Sequence, residues 1–443
     1  MSDPTNKAET TSDAPQQASP ADSAAAPQQP ATAPQPAVTT RGQRALREIM
    51  GGSFVISVLA VFLALVVGAV LIALTDPGVQ QASGYFFARP GDTFRAIWSA
   101  VGGSYTSLFQ GAIFNTGAFT FSAGIQPLMN TLSAATPLIF GGLGIALAFR
   151  IGLFNIGGQG QILIGGAFAG WVAWSFPMPF PLALIVAIVA GIVGGAVWAG
   201  IVGWLKAQTG AHEVIVTIML NYVAFYLISF LLRTPGALQA PGTNNPKSPA
   251  IPEAAQLPGL FGIRYTVTWA FVLAIAAAFA YWWLMNRSNL GFRFRAVGEN
   301  PSAARTAGIG VERMYIYGMA IAGGFVGLAG VNQVLATTPG GFSSGFDAGL
   351  GFDAITVALL GRSRPLGVFV AGLLFGALKS GGYVMQAANG IPIDIVLIVQ
   401  SLIVLFIAAP PLVRAIFGLP TPGSAPRRSR RAAGADRTVA KEA

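Results

Sequence analysis

Two stretches carry the polar chemistry that an otherwise apolar chain lacks. The first, Gly152-Leu-Phe-Asn-Ile-Gly-Gly-Gln-Gly-Gln161, sets glycines beside three amide side chains, Asn155, Gln159 and Gln161. Amides donate and accept hydrogen bonds without the cost of a buried charge, which suits a polar, uncharged ligand. Glycine lets a helix unwind, and unwound backbone at membrane depth is tolerated where it lines protein or a water-filled cavity. The same glycines, with Gly166 and Gly170 beyond them, also fit a tight contact between two helices. The second stretch, Gly349-Leu-Gly-Phe-Asp-Ala-Ile-Thr-Val-Ala-Leu-Leu-Gly361, follows Asp347 and contains Asp353. A carboxylate at the centre of a span costs roughly 2.5–3.5 kcal/mol on insertion scales. Asp353 is therefore expected to face the protein interior, a partner or the start of a half-helix, where the N-terminal dipole favours it. A structural role there and ligand binding both fit. The two stretches occupy similar places in the two halves of the chain, the pattern of paired discontinuous helices around a central site. Phe154 and Phe352, beside the breaks, offer faces on which a flat ring could stack.

A third stretch, Ala211-His-Glu-Val-Ile-Val-Thr-Ile-Met-Leu-Asn221, puts one amide inside an apolar run. Asn221 either bonds a neighbouring helix or faces a cavity. His212 is the sole histidine, and there is no cysteine, so histidine-rich and thiolate metal sites are excluded. His212-Glu213 is read as a helix end or a cytoplasmic contact. No Gly-x-x-x-x-Gly-Lys-Ser/Thr loop is present, so the chain does not hydrolyse ATP by that route. No nucleophile and base share a local signature either, and nothing marks this chain as a catalyst. Asp347, Asp353 and Asp394 leave open a different class, a secondary transporter coupled to protons or sodium.

The third kind of feature is polar and helical. Within 291–314, Asn300 suits an N-cap, Pro301 the first helical position and Gly308 the left-handed residue past the end. Between the caps lie Ser302, Ala303, Ala304, Arg305, Thr306 and Ala307, a small-residue knob with one strong cation, preceded by Glu299. Such a knob between two membrane helices can seat in a groove of a soluble partner. A solvated loop with one helical turn has the same spacing.

The elements that must hold these residues are membrane helices. Of 443 residues, 53% are hydrophobic and 9% charged, with a mean hydropathy of +0.62, against ~25% charged in a soluble domain. That composition gives an all-α polytopic membrane protein. The net charge of +10 does not indicate nucleic acid, because the cations sit in short connections and tails and form no basic face. Residues 1–47 are expected to be a disordered cytoplasmic tail, rich in Ala, Pro, Gln, Ser and Thr and ending in Arg41, Arg44 and Arg47. Apolar runs place spans at 53–75, 127–149, 157–176, 181–205, 214–232, 266–285, 315–337, 343–361, 365–386 and 393–413 within a transmembrane domain, 48–413. Residues 93–114 are mildly amphipathic and are expected at the interface. Ten crossings put both termini in the cytoplasm. The inner side then gathers most cations, and the outer side holds Arg89, Arg95, Arg233, Lys247, Arg264 and Lys379. The loop 291–313 becomes cytoplasmic, and 414–443 a basic C-terminal tail.

Four segments in order carry a family resemblance: 152–161, 211–222, Gly298-Glu-Asn-Pro-x-Ala-Ala-Arg-x-Ala-Gly-Ile309 and 351–361. Over roughly residues 50–413 the chain resembles permease subunits of ABC importers, in the family of branched-chain amino acid, ribose-type sugar and nucleoside permeases. It looks most like the nucleoside (simple-sugar-like) branch. One departure is Gln159, where that branch often has Glu. The resemblance implies ten helices, some discontinuous, in two pseudo-repeated halves. It implies that Phe154, Asn155, Gln159, Gln161, Asn221, Phe352 and Asp353 line a substrate pathway. It also implies that Glu299, Asn300, Pro301, Ala303, Ala304, Arg305 and Gly308 form a coupling helix. The implied partners are cytoplasmic ABC ATPase subunits that carry ATP and Mg, a second permease or a second copy, and an extracytoplasmic substrate-binding lipoprotein. This chain would itself bind no cofactor. Sugar or amino acid import by the same fold is the other reading.

Overall fold

The computed structural model describes residues 53–418, apart from residue 263. The expectations for 1–47 and for the tail beyond 418 lie outside the described residues. Fourteen helices of use here follow in order: α1 Ser53–Thr75, α2 Pro90–Ala112, α3 Gln126–Arg150, α4 Gly158–Ser175, α5 Leu182–Thr209, α6 Glu213–Leu231 and α7 Ala270–Arg287. Then come α8 Asn289–Glu299, α9 Pro301–Thr306, α10 Val311–Asn332, α11 Leu350–Leu360, α12 Pro365–Asn389, α13 Ile393–Ala408 and α14 Pro410–Ile416. The described residues contain no strand, only an isolated bridge between Gly259 and Thr268. Arg414 falls in the last turn of α14, so the C-terminal tail begins later than its basic composition suggests.

Seven of these helices are long and apolar enough to cross a membrane, or eight if the bent pair α13–α14 is one span. Two expected spans differ in kind. α4 spans 18 residues but opens with Gly158, Gln159, Gly160 and Gln161, which lower its hydropathy. The run 343–361 is no continuous helix: turns lead to the eleven-residue α11. At 1.5 Å per residue α11 rises about 16 Å, half of a ~30 Å hydrocarbon core.

The centre is built by close backbone approach. α5 and α10 cross where Gly191 and Gly195 meet Gly323 and Gly327, with backbone atoms of the partner helix in the space a side chain would need. Association in lipid relies on such packing, since leaving the tails for another apolar surface gains little. α3 lies between α10 and α12 and is buried from Ala135 to Ala148. Lipid faces the outer helices instead: Val58, Phe62, Val66 and Val70 project from α1, and Ile185, Val189, Val193 and Val197 from α5, all exposed at a four-residue interval.

α2, expected at an interface, packs against α12. Its last turn is wedged between α12 and the start of α3, where Ser380 Oγ donates to the Gly111 carbonyl (3.0 Å) and Thr131 Oγ1 to the Ala112 carbonyl (2.6 Å). Two carbonyls left over at that buried helix end are thereby satisfied.

The bundle has two chemically distinct ends. At one, Lys206 pairs with Glu213 (2.9 Å), Arg150 and Tyr281 both donate to the Ser363 carbonyl, and Gly298 packs on the Arg150 carbonyl. α8 and α9 belong to this arginine-rich end. At the other, the loop between α6 and α7 docks on the strap between α10 and α11: Phe342 N–H donates to Ser248 Oγ, Ile251 N–H to the Pro339 carbonyl and Leu257 N–H to the Leu335 carbonyl.

Candidate functional site

Residues 151–157 break the path from α3 to α4, and the break is held by amides. Asn155 is fully buried. Its Oδ1 accepts from Gly157 N–H (2.9 Å) and from Gln161 Nε2 (3.1 Å), and its Nδ2 donates to Gln161 Oε1 (3.2 Å). Asn155 and Gln161 therefore bind each other, both of them buried. Asn221 reaches over from α6, accepting from Gly160 N–H (2.8 Å) and donating to the Ile156 carbonyl (2.9 Å). Of its two sequence readings, the structure gives the bond to a neighbouring element. Thr217 Oγ1, one turn away, accepts from Ile156 N–H at 3.4 Å. An unmet buried donor or acceptor costs about 1–3 kcal/mol. Asn221→Leu strands one of each, so an apparent loss of roughly 2–4 kcal/mol in unfolding stability is expected, read as a lower denaturation midpoint in detergent. A midpoint equal to wild type would show that the clamp is dispensable.

The start of α4 meets the start of α11. A Cβ on Gly158 would lie 2.8 Å from the Gly351 carbonyl oxygen, and one on Gly351 would collide with Gln159 N and Cα. Only glycine at both positions lets the two backbones touch. Gly349, with φ 77°, makes the turn into α11, and Asp347 Oδ2 accepts its N–H (3.2 Å). Gln159 Nε2 points to Asp347 Oδ1 at 3.5 Å, joining the two breaks through side chains as well.

Asp353 stands in the first turn of α11, its carboxylate 3.6 Å from Lys379 Nζ. Lys379 was expected on the outer side. It sits instead inside α12, roughly 21 Å along the axis from Pro365 and 15 Å from Asn389. A lysine within an apolar run was the available signal, and its meaning depended on a carboxylate 26 residues earlier. Lys379 also lines a cavity of about 410 Å³ between α3, the turn that follows α10, α11 and α12. Its polar lining is Asn130, Ser133, Thr266, Gln333, Thr337, Ser380 and Tyr383, with no carboxylate. Asn130 Oδ1 accepts from Thr266 Oγ1 (2.8 Å), and Gln333 Nε2 donates to the Phe346 carbonyl (2.9 Å). None of these lining residues is among the expected pathway residues, because polar residues scattered over four segments have no local spacing. Phe154 and Phe352 are absent from this lining. Phe154 stacks on Phe149 at 4.9 Å, and Phe352 is exposed in the first turn of α11.

At the arginine-rich end α9 has the caps its spacing predicts. Asn300 Oδ1 accepts from Ala303 N–H (3.0 Å), Pro301 opens the helix, and Gly308 takes φ 80°. Gly308 N–H donates to the Arg305 carbonyl and Ile309 N–H to the Ala304 carbonyl, both at 3.0 Å, the paired bonds of a Schellman end. Ala304 alone is buried; Glu299, Ala303 and Arg305 are exposed. Arg305 pairs with Glu312 at 2.5 Å across solvent. Beside the knob is a concavity of about 670 Å³ that includes Phe292, Ala296, Ala303, Ala307 and Met314.

This combination of a bundle with two broken helices, a polar cavity and a protruding capped knob matches a known pattern in sequence. Residues 128–408 match the family described as branched-chain amino acid transport system, permease component. The chain belongs to this permease family. It is a multi-pass protein of the plasma membrane, and it supplies a path rather than a reaction. Among curated relatives, it is 34% identical over 367 residues to the guanosine ABC transporter permease protein NupP of Bacillus subtilis, covering 82% of this chain and 95% of that one. It is 38% identical to the glucose ABC transporter permease protein TsgB13 of Haloferax volcanii, covering 63% and 75%. It is 34% identical to the nucleoside ABC transporter permease protein NupB of Lactococcus lactis, covering 63% and 78%. No solved structure matches the chain.

Proposed function

We propose that this permease is the membrane path for nucleosides in an ATP-binding-cassette importer and works by alternating access. The observation that carries the reading is the contact of Gly158 with Gly351, where two half-helices meet between a polar cavity and a capped knob. On this reading α4 and α11 complete ten crossings, and the arginine-rich end, with both termini, faces the cytoplasm. The two halves, each with one broken helix, then act as pseudo-repeats around the central site. The hydroxyls and amides that line the cavity offer hydrogen bonds to ribose and base edges without demanding a charged ligand. Similarity to a guanosine and a nucleoside permease supports nucleosides. Similarity to a glucose permease keeps a sugar as the second reading.

ATP and Mg reside on separate ATPase subunits, which seat α9 in a groove. The remaining partners are a second permease or a second copy, and an extracytoplasmic binding lipoprotein. The path for the push is physical. α9 follows α8, whose Gly298 rests on the Arg150 carbonyl and against Gly152. Beyond Gly152 lies the Asn155–Gln161 break, then Gly158 and its contact with Gly351. Closure of the ATPases therefore biases a two-state arrangement of the half-helices.

In reconstituted vesicles holding the complete assembly, guanosine uptake is expected to require ATP, to persist with an uncoupler, and to be competed by nucleosides better than by glucose. Uptake that proceeds without the ATPase and collapses with the uncoupler would overturn the importer reading. Better competition by glucose would select the sugar. Arg305→Glu is expected to lower substrate-stimulated ATPase activity at least tenfold while leaving the unfolding midpoint unchanged, because an exposed pair such as Arg305–Glu312 is worth at most about 1 kcal/mol. Normal stimulation in that variant would remove α9 from the coupling contact.

A further inference from the structure

Two adjoining hollows at the arginine-rich end lie apart from the polar cavity. One, of about 570 Å³, runs between α1 and α12; Val58, Val61, Leu366, Val370 and Leu374 line it, together with Arg362 and Arg364. The other, of about 310 Å³, shares Arg364 and Leu366 and adds Arg150, Arg295 and Tyr281. No carboxylate lines either one. Among the described residues these four arginines make no salt bridge, and Arg150 commits one N–H to the Ser363 carbonyl. The same carbonyl accepts from Tyr281 Oη (3.0 Å), so the turn that carries Arg362 and Arg364 is tied to α3 and α7.

The apolar wall is long enough to matter. Leu366 to Leu374 spans about 12 Å of α12, and Val58, Leu366 and Val370 are each at least half exposed. Guanidiniums with no carboxylate beside them attract an anion, and a phosphate suits their fork geometry. The wall beside them requires hydrocarbon. One molecule with both parts is an anionic phospholipid. The segment that precedes α1 in the chain is a poor alternative occupant, since Arg41, Arg44 and Arg47 add positive charge where negative charge is missing.

We propose that an anionic phospholipid binds here, its phosphate among Arg362, Arg364 and the neighbouring Arg150 and Arg295, and one acyl chain in the groove between α1 and α12. Bound lipid would tie the start of α12 to α1, on the element that carries Lys379 further along. The test is native mass spectrometry of the purified permease titrated with phosphatidylglycerol or phosphatidylcholine. One tightly held phosphatidylglycerol is expected, preferred at least tenfold. Arg362→Gln/Arg364→Gln should abolish it, and Val370→Trp, which fills the groove, should weaken it at least tenfold. Arg287→Gln should retain it, because that cation lies over the Trp282 ring and lines neither hollow. Unfolding midpoints near wild type for all variants serve as the folding control, and the Val370→Trp arm alone decides the matter if the double variant fails it. No preference between the lipids, equal retention by the double variant, or equal loss in Arg287→Gln would overturn the proposal. So would a lipid-free pair of chains that excludes phosphatidylglycerol.

Discussion

Gly351→Val is expected to abolish transport, while Gly345→Ala, a few residues earlier in open space, leaves uptake unchanged. The first Cβ at 351 would already occupy the space of Gln159 N and Cα. A valine adds two methyls to that collision, and backbone on the other side does not rotate away as a side-chain tip would. Overpacking of a close contact costs typically 1–3 kcal/mol, which the rest of the bundle can absorb in stability. On the proposed mechanism it cannot be absorbed in geometry, because there the two half-helices separate at the point where they touch. Uptake is therefore expected to fall at least tenfold with only a modest shift in the unfolding midpoint. Vesicle uptake with the partner subunits, beside thermal unfolding in detergent, separates the two effects. Undiminished uptake in Gly351→Val would dismiss the contact as a moving part.

The second large effect belongs to the charges. Asp353→Asn leaves Lys379 without its counter-ion inside the bundle. Removing one partner of a buried pair costs about 3–5 kcal/mol. Here the side chains are 26% and 23% exposed, so screening reduces the expected loss to roughly 1–3 kcal/mol. Asp353→Asn/Lys379→Met removes both charges and should recover most of that stability, a coupling that a double-mutant cycle measures directly. Transport is expected to stay low in the double variant, since Lys379 also lines the cavity. Full recovery of uptake would make the pair a device of stability alone. Additive stability losses in the two single variants would mean that the ion pair is not formed in the membrane.

The amides near the first break teach a related point. Asn155 and Gln161 were read as ligand groups from their type and place, yet each satisfies the other. The groups that do line the cavity are contributed by α3, the segment before α7, the turn just after α10 and α12. No window of sequence holds them together. α2 shows the same limit: its mild amphipathicity suggested an interfacial helix, and only Ser380 and Thr131, which satisfy its last carbonyls, reveal that its end is buried.

What the sequence determined by itself was what short-range physics determines. Apolar runs fixed the helical membrane class, because in lipid every backbone group must be satisfied within its own segment. Asn300, Pro301 and Gly308 fixed the knob, since a cap is completed within one turn of the chain. Tertiary structure alone decided that the two breaks touch at Gly158 and Gly351, that Lys379 finds Asp353, and that Asn221 clamps the start of α4. Those contacts join segments far apart in the chain, and which partner each residue meets is set by how whole helices pack, a choice that no local spacing encodes.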